Sequence, residues 1–287
     1  MPKEMIHLKT EQEIILYRDT CKIAGEILTI LKDHVKVGTN TYDIAKHAEE
    51  LIINKYEAIP SSIGQYDFKF ALNSSINNVI CHGVPSKEDI LRDGDIVNLD
   101  ITVKKHGFIA DTSRMYLVGN VSSEARRLCQ ITHECMWKGI EQVKPGNTVG
   151  DIGYAIQRHA TRNDFTVVRE YCGHGIGRKM HEEPQIAHYG TQGKGTKLQK
   201  GMTFTIEPMI NQGSRQIAHL ADDWTVVTKD GKLSAQWEHT ILVTDTGFEV
   251  LTLREEESQK IEKWLSKNLC VLKINDHNIF SFNSPGK

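Results

Sequence analysis

An internal repeat constrains this chain more than any other feature. Val35-Lys36-Val37-Gly38 recurs as Val143-Lys144-Pro145-Gly146, and Asp43-Ile44 recurs as Asp151-Ile152, both at an offset of 108 residues. Further on, Gly94 to Asp100 maps onto Gly201 to Glu207 at an offset of 107, so a carboxylate closes the same segment in both copies. A repeat of this kind fixes architecture before any local assignment does. Two similar half-domains most economically pack about a pseudo-two-fold axis, with their sheets joined and their helices outside. One carboxylate from each half then approaches the axis, and the cleft between the halves becomes the place for a metal.

Local patterning agrees with helix-helix-strand halves. Thr10-Glu11-Gln12-Glu13 is a capping box opening a helix over residues 10 to 34, with Ile23, Ala24, Ile27, Leu28 and Leu31 at helical spacing. A second helix is expected from about Thr41 to Tyr56, and in the second half from Ser122 to about Val143 and from Thr148 to about Arg162. Residues 61 to 87 read as loop and short strand, and Met202–Met209 and Leu233–Val243 as strands. No Pro/Gly/Ser-rich linker separates the halves. We expect one catalytic domain over 1–254, with repeats of about 10–120 and 121–254, followed by an extension over 255–287 with no readable chemical signal.

The chemically informative stretch is Asn98 to Ser113. Val97, Leu99, Ile101 and Val103 alternate with Asn98, Asp100 and Thr102 up to a polar tip at Lys105-His106-Gly107, the pattern of a hairpin. With the tip centred between Lys105 and His106, Asp100 would face Asp111. Like charges opposed in this way are destabilising by themselves. The apolar residues beside them, Leu99 and Ile109-Ala110, point to burial, and buried carboxylates need a proton, a base or a metal.

Candidate ligands recur downstream: His174 within Gly173-His174-Gly175, Glu207 and Glu238. Four carboxylates and one imidazole exceed what one divalent ion balances, which predicts a dinuclear site with ions ~3.5–4 Å apart. The donor set suits Co, Mn, Fe or catalytic Zn. Such a site makes water a nucleophile near neutral pH. No Ser-His-Asp order or G-x-S-x-G supports covalent catalysis. His82 and His181 are candidates for hydrogen bonds to a carbonyl or oxyanion.

Composition narrows the function classes. A net charge of −2 argues against binding nucleic acid through its phosphates. The six cysteines form no C-x-x-C pair and read as reduced thiols. Residues 1 to 6 hold no apolar h-region, and no run approaches the ~20 apolar residues of a membrane span. The expected location is the cytoplasm.

Asn98-Leu99-Asp100-Ile101-Thr102, Asp111-Thr112-Ser113-Arg114, Gly173-His174-Gly175-Ile176-Gly177, Thr205-Ile206-Glu207-Pro208-Met209 and Gln236-Trp237-Glu238-His239-Thr240 together resemble type I methionine aminopeptidases. The resemblance runs from about Thr10 to Arg254. It implies the pita-bread metallopeptidase fold, an α+β arrangement of two pseudo-symmetric halves sharing a curved antiparallel sheet. It also implies removal of the initiator methionine from new proteins whose second residue is small. By the resemblance, Asp100 and Asp111 hold one of two divalent ions, His174 and Glu207 the other, and Asp111 and Glu238 bridge them. Glu207 would take a proton from the attacking water, His181 would contact the scissile carbonyl, and His82 would sit beside the substrate.

Glu238 follows Glu207 by 31 positions, too close for the helical insertion of type II enzymes, so the bacterial-style form fits. The matching substrate pocket would comprise Phe68, His82, His181 and Trp224, with Ser62, Gln65, Asn73 and Met180 where the family often has cysteines and aromatics. Implied partners are nascent-chain N-termini at the ribosome, with no nucleic acid, no membrane, and a monomer as the working form. The rival readings are an X-Pro peptidase of the same fold, similar to aminopeptidase P or prolidase, and a pita-bread module that binds partners without catalysis.

Overall fold

Helix α1 (Glu11–Leu31) begins where the Thr10 hydroxyl accepts the Glu13 amide while the Glu13 carboxylate accepts the Thr10 amide, the capping box read from the sequence. The computed structural model describes residues 5–258 and the backbone of 272–275 and 279–282; Met1–Glu4, Cys270 and the rest of the expected extension lie outside the described residues. The two described tail segments pair as an antiparallel ladder.

The repeat has a local cause. Gly38 and Gly146 hold φ of +89° and +90°, a turn conformation that only glycine adopts without strain. Five residues later, Asp43 and Asp151 pair with the helix-capping residues Asn40 and Thr148. Ile44 and Ile152 are the first wholly buried isoleucines of α2 (Thr41–Glu50) and α4 (Val149–Arg162). Even the bridges recur: Asn40 pairs with Ile90, and Thr148 with Lys197. Helix α2 continues as a wider π turn over Leu51–Lys55 rather than as regular helix to Tyr56. Helix α3 (Ser123–Ile140) starts from a Ser122 cap.

Each half buries its helices against its own strands. The first core joins α1 and α2 to the hairpin Ile96–Lys105/Phe108–Leu117, with Tyr17 stacked on Phe108 at 5.3 Å between centroids. The second joins α3 and α4 to the ladder of Thr203–Ile206 and His239–Val243. Helices therefore lie outside and the strands meet inside.

Two strand readings need correction. The hairpin turns at His106-Gly107, both with positive φ, so Lys105 faces Phe108 and Asp100 faces Ser113. This is the mirror-image two-residue turn whose twist matches the flanking strands. Asp111 faces Thr102, so the two aspartates are diagonal neighbours on one face rather than direct partners. The strands expected over Met202–Met209 and Leu233–Val243 are each interrupted: Thr203–Ile206 pairs with His239–Val243, and Met209–Asn211 with Ser234–Gln236. Register is the same on both sides (Ile206 with His239, Met209 with Gln236), so Glu207 stands opposite Glu238, and Pro208 opposite Trp237. Pro208 has no N–H to give the ladder, which accounts for the break.

Candidate metal centre

Freed from its ladder, the Glu238 amide donates instead to the Ser113 carbonyl at 3.2 Å, a bridge that joins the two halves. Thr112 Oγ1 reinforces it by donating to the Glu238 carbonyl at 2.8 Å, and Asn98 Nδ2 reaches both Ser113 Oγ and the Gln236 carbonyl. Thr240 Oγ1 donates to the Asp111 carbonyl at 2.7 Å. Ligand atoms of Asp100, Asp111 and Glu238 consequently lie within 4.8 Å of one another.

His174 arrives from the Gly173–Gly175 strand. Both glycines are needed there: a Cβ on Gly173 would lie 2.4 Å from the Thr205 carbonyl, and one on Gly175 2.2 Å from that of Glu183. His174 Nδ1 lies 3.0 Å from the Gly175 carbonyl, leaving Nε2 to face inward, 3.6 Å from Glu207 Oε1 and 3.9 Å from Asp111 Oδ2. Glu207 is fixed by Thr205 Oγ1 (2.7 Å) and Gln236 Nε2 (3.4 Å), and its amide donates to His188 Nε2 at 3.2 Å. Thr205 and Gln236 face the site because they alternate with buried apolar residues. His188 carries no sequence signal toward Glu207, and it is found only in the fold.

Burial dominates the electrostatics. It pushes the Asp100 carboxyl up to about 6 and that of Glu207 up to about 8. Asp111 and Glu238 rise well above the carboxylate range, through burial first and then the charges of neighbouring carboxylates, Asp100 and Glu207 beside Asp111, and Asp111, Glu207 and Asp100 beside Glu238. The imidazoles move down, also by burial: His174 and His82 to about 4, His188 to about 3, and His181 in the same direction. Asp100 Oδ1 and Asp111 Oδ1 are buried and accept no hydrogen bond, and no lysine or arginine lines the cavity among the described residues. A cluster of desolvated carboxyls with orphaned oxygens and no basic side chain fits a divalent cation.

The cavity holds about 540 Å³. It is lined by all five candidate ligands and by every pocket residue named from the sequence: Ser62, Gln65, Phe68, Asn73, His82, Met180, His181 and Trp224. Phe68 packs on Trp224 at 4.8 Å, His82 meets Trp224 edge-on at 6.2 Å, and His181 meets His174 edge-on at 4.5 Å. Ser62 spends its hydroxyl on the Phe70 carbonyl, and Asn73 is the ladder partner of Asp100. Thr102, Cys81, Tyr171, Cys172 and Met209 also line the cavity and were not foreseen; Thr102 and Met209, each two positions from a candidate ligand on an expected strand, had a signal.

Comparison with known proteins agrees with this geometry. The profile of metallopeptidase family M24 matches residues 16–245. The methionine aminopeptidase of Escherichia coli (strain K12) is 46% identical over 253 residues, covering 88% of this chain and 96% of that protein. That of Haemophilus influenzae is 43% identical, covering 88% and 94%. Among solved structures, methionine aminopeptidase from Rickettsia prowazekii superposes with a TM-score of 0.85 at 47% identity, over 87% of this chain and 100% of that one. A prolidase from Pyrococcus horikoshii shares the fold alone, with a TM-score of 0.68 at 23% identity over 86% of this chain and 64% of that one.

Proposed function

The chain belongs to metallopeptidase family M24, a pita-bread fold that uses divalent metal, and from that premise we propose that it removes N-terminal methionine from nascent proteins whose second residue is small. The supporting observation is that carboxylate and imidazole donors share one cavity with an aromatic wall of Phe68 and Trp224 suited to a thioether side chain. Residues 1–254 act as the catalytic domain.

Asp100 and Asp111 would hold one cation, His174 and Glu207 a second, with Asp111 and Glu238 shared between them. Bound there, divalent cations supply Lewis acidity toward the scissile carbonyl and toward water. Glu207 takes the proton that the attacking water loses. Its Oε1 is engaged by Thr205 at 2.7 Å, so Oε2, held more loosely by Gln236, is the oxygen that receives it. His181, kept neutral by its burial, donates to the carbonyl oxygen, and His82 orients the substrate beside Trp224.

Five described cysteines are free thiols, in keeping with a reducing compartment, and no described helix is long and apolar enough to cross a membrane. On this reading the protein works as a monomer in the cytoplasm, where nascent chains emerge from the ribosome. The test is a peptide panel with the metal-loaded protein. Methionine is released from Met-Ala-Ser, and metal analysis gives two equivalents per chain, with activity ranked across Co, Mn, Fe and Zn. Cleavage of X-Pro peptides without methionine release would overturn the assignment in favour of a prolidase-like activity.

A further inference from the structure

Behind the carboxylates, on the side away from the cavity, sits Arg254, 1% exposed and among the largest wholly buried side chains of the described chain. Its contacts fall on the neighbours of two candidate ligands. Nη1 donates to Thr112 Oγ1 at 3.1 Å and to the Ser113 carbonyl at 3.4 Å, the two residues that follow Asp111. Nη2 lies 3.4 Å from His239 Nε2, and the guanidinium carbon lies 5.5 Å from the Trp237 ring centroid, the two residues that flank Glu238. The acceptors it engages are the same groups that make the bridge between the halves: Thr112 Oγ1 donates onward to the Glu238 carbonyl, and the Ser113 carbonyl accepts the Glu238 amide.

Arg254 is itself fixed. Arg254 Nη2 donates to Glu257 Oε1 at 3.0 Å and Nε lies 2.8 Å from Glu257 Oε2 in ion-pair contact, so the guanidinium reaches Glu257 and Thr112 at once where a single ammonium cannot. His239 Nε2 stands 3.3 Å from Glu257 Oε2, so the pair is tied to the strand that leaves Glu238.

We propose that Arg254, held by Glu257, is a positioning residue: it clamps the Asp111–Ser113 and Trp237–His239 segments to one another so that the Asp111 and Glu238 carboxylates share a cation. Arg254 does not line the cavity; its contacts fall on Thr112, Ser113, Trp237 and His239, and its positive charge also bears on Glu238. The amide and hydroxyl bridge is backed by Asn98 and Thr240 from neighbouring positions, and Arg254 is the group that engages both Thr112 and Ser113 from the side where the ladder has parted. The inference rests on the reading that Asp111 and Glu238 ligate divalent metal. Outer groups that orient metal ligands typically govern ~10–100-fold of metal affinity or activity.

The experiment measures Mn²⁺ binding to metal-stripped protein by calorimetry and by the free-Mn²⁺ resonance signal, alongside thermal unfolding and steady-state kinetics on Met-Ala-Ser. Arg254→Lys and Thr112→Val are the informative single changes. Arg254→Met/Glu257→Leu removes both charges together, which avoids stranding a buried carboxylate. Asp111→Asn tests the underlying reading. The expected result is Mn²⁺ affinity weakened ~10–100-fold in each folded variant, kcat lowered, KM for the peptide unchanged, and Thr112→Val still unfolding in a single cooperative transition. Folded variants that bind Mn²⁺ as the wild type does overturn the clamp. Asp111→Asn binding Mn²⁺ as the wild type does overturns the ligand reading instead, and the clamp with it.

Discussion

Glu207 and Glu238 stand opposite each other at the one point where two strands of matching register are unpaired. Neither carboxylate is used by a ladder, and each side chain is presented to the same cavity from a different strand. Replacing Glu207 by Gln keeps the shape and the Thr205 contact but removes the proton acceptor. The expected outcome is a fall in kcat of ~10²–10⁴ with little change in KM. Steady-state kinetics with metal content measured in parallel checks it; wild-type turnover with metal retained would exclude Glu207 from proton transfer.

Gly175 has no room for a side chain, since a Cβ would meet the Glu183 carbonyl at 2.2 Å. Gly175→Ala must part the Gly173–Gly175 and Glu182–Ile186 strands, the pair that aims His174. Overpacking of this sort costs ~1–3 kcal/mol, read from urea unfolding, and here it is accompanied by weaker metal binding. An alanine variant with the stability and metal affinity of the wild type contradicts the placement.

Trp224 closes the aromatic end of the cavity against Phe68. Trp224→Ala should lower kcat/KM for methionine peptides ~10–200-fold, the range of a hydrophobic side-chain pocket losing its fit, and do so mainly through KM. Metal content stays unchanged. A panel of norleucine, leucine and methionine peptides reads the loss of discrimination directly.

Glu13 supplies a pH dependence away from the site. The Thr10 amide, with help from Arg178, holds its carboxyl at about 2, against 4.5 ordinarily. Because the folded value is the lower one, the charged form stabilises the fold fully above pH 4.5, and that contribution disappears as pH falls toward 2. Thermal unfolding of the wild type and Glu13→Gln should therefore differ by a constant amount near neutrality and converge in acid. A gap that persists at pH 2 assigns the difference to something other than this carboxylate.

What the sequence determined by itself was everything that a few neighbouring residues can enforce. Gly38 and Gly146 are repeated because a left-handed turn needs them, Asp43 and Asp151 because each holds its helix-capping residue (the Asn40 side-chain amide and the Thr148 backbone amide donate to them), and the Thr10–Glu13 box because its two partners are three residues apart. Alternation in Asn98–Ser113 likewise put both aspartates on one face, and the spaced carboxylates and glycine-framed histidine named the five candidate ligands, while the other named pocket residues came from the family resemblance. Tertiary structure decided which groups meet. The turn at His106-Gly107 moved the hairpin register by two residues and made Asp100 and Asp111 diagonal neighbours. Pro208 broke a strand that hydropathy alone reads as continuous, and chain more than a hundred residues away supplied Ser113 to the stranded Glu238 amide. His188 and Arg254 came from positions with no spacing relationship to the ligands they support. Such partners are chosen by packing and by the demand of buried polar groups for hydrogen bonds, conditions that exist only once the chain has closed on itself.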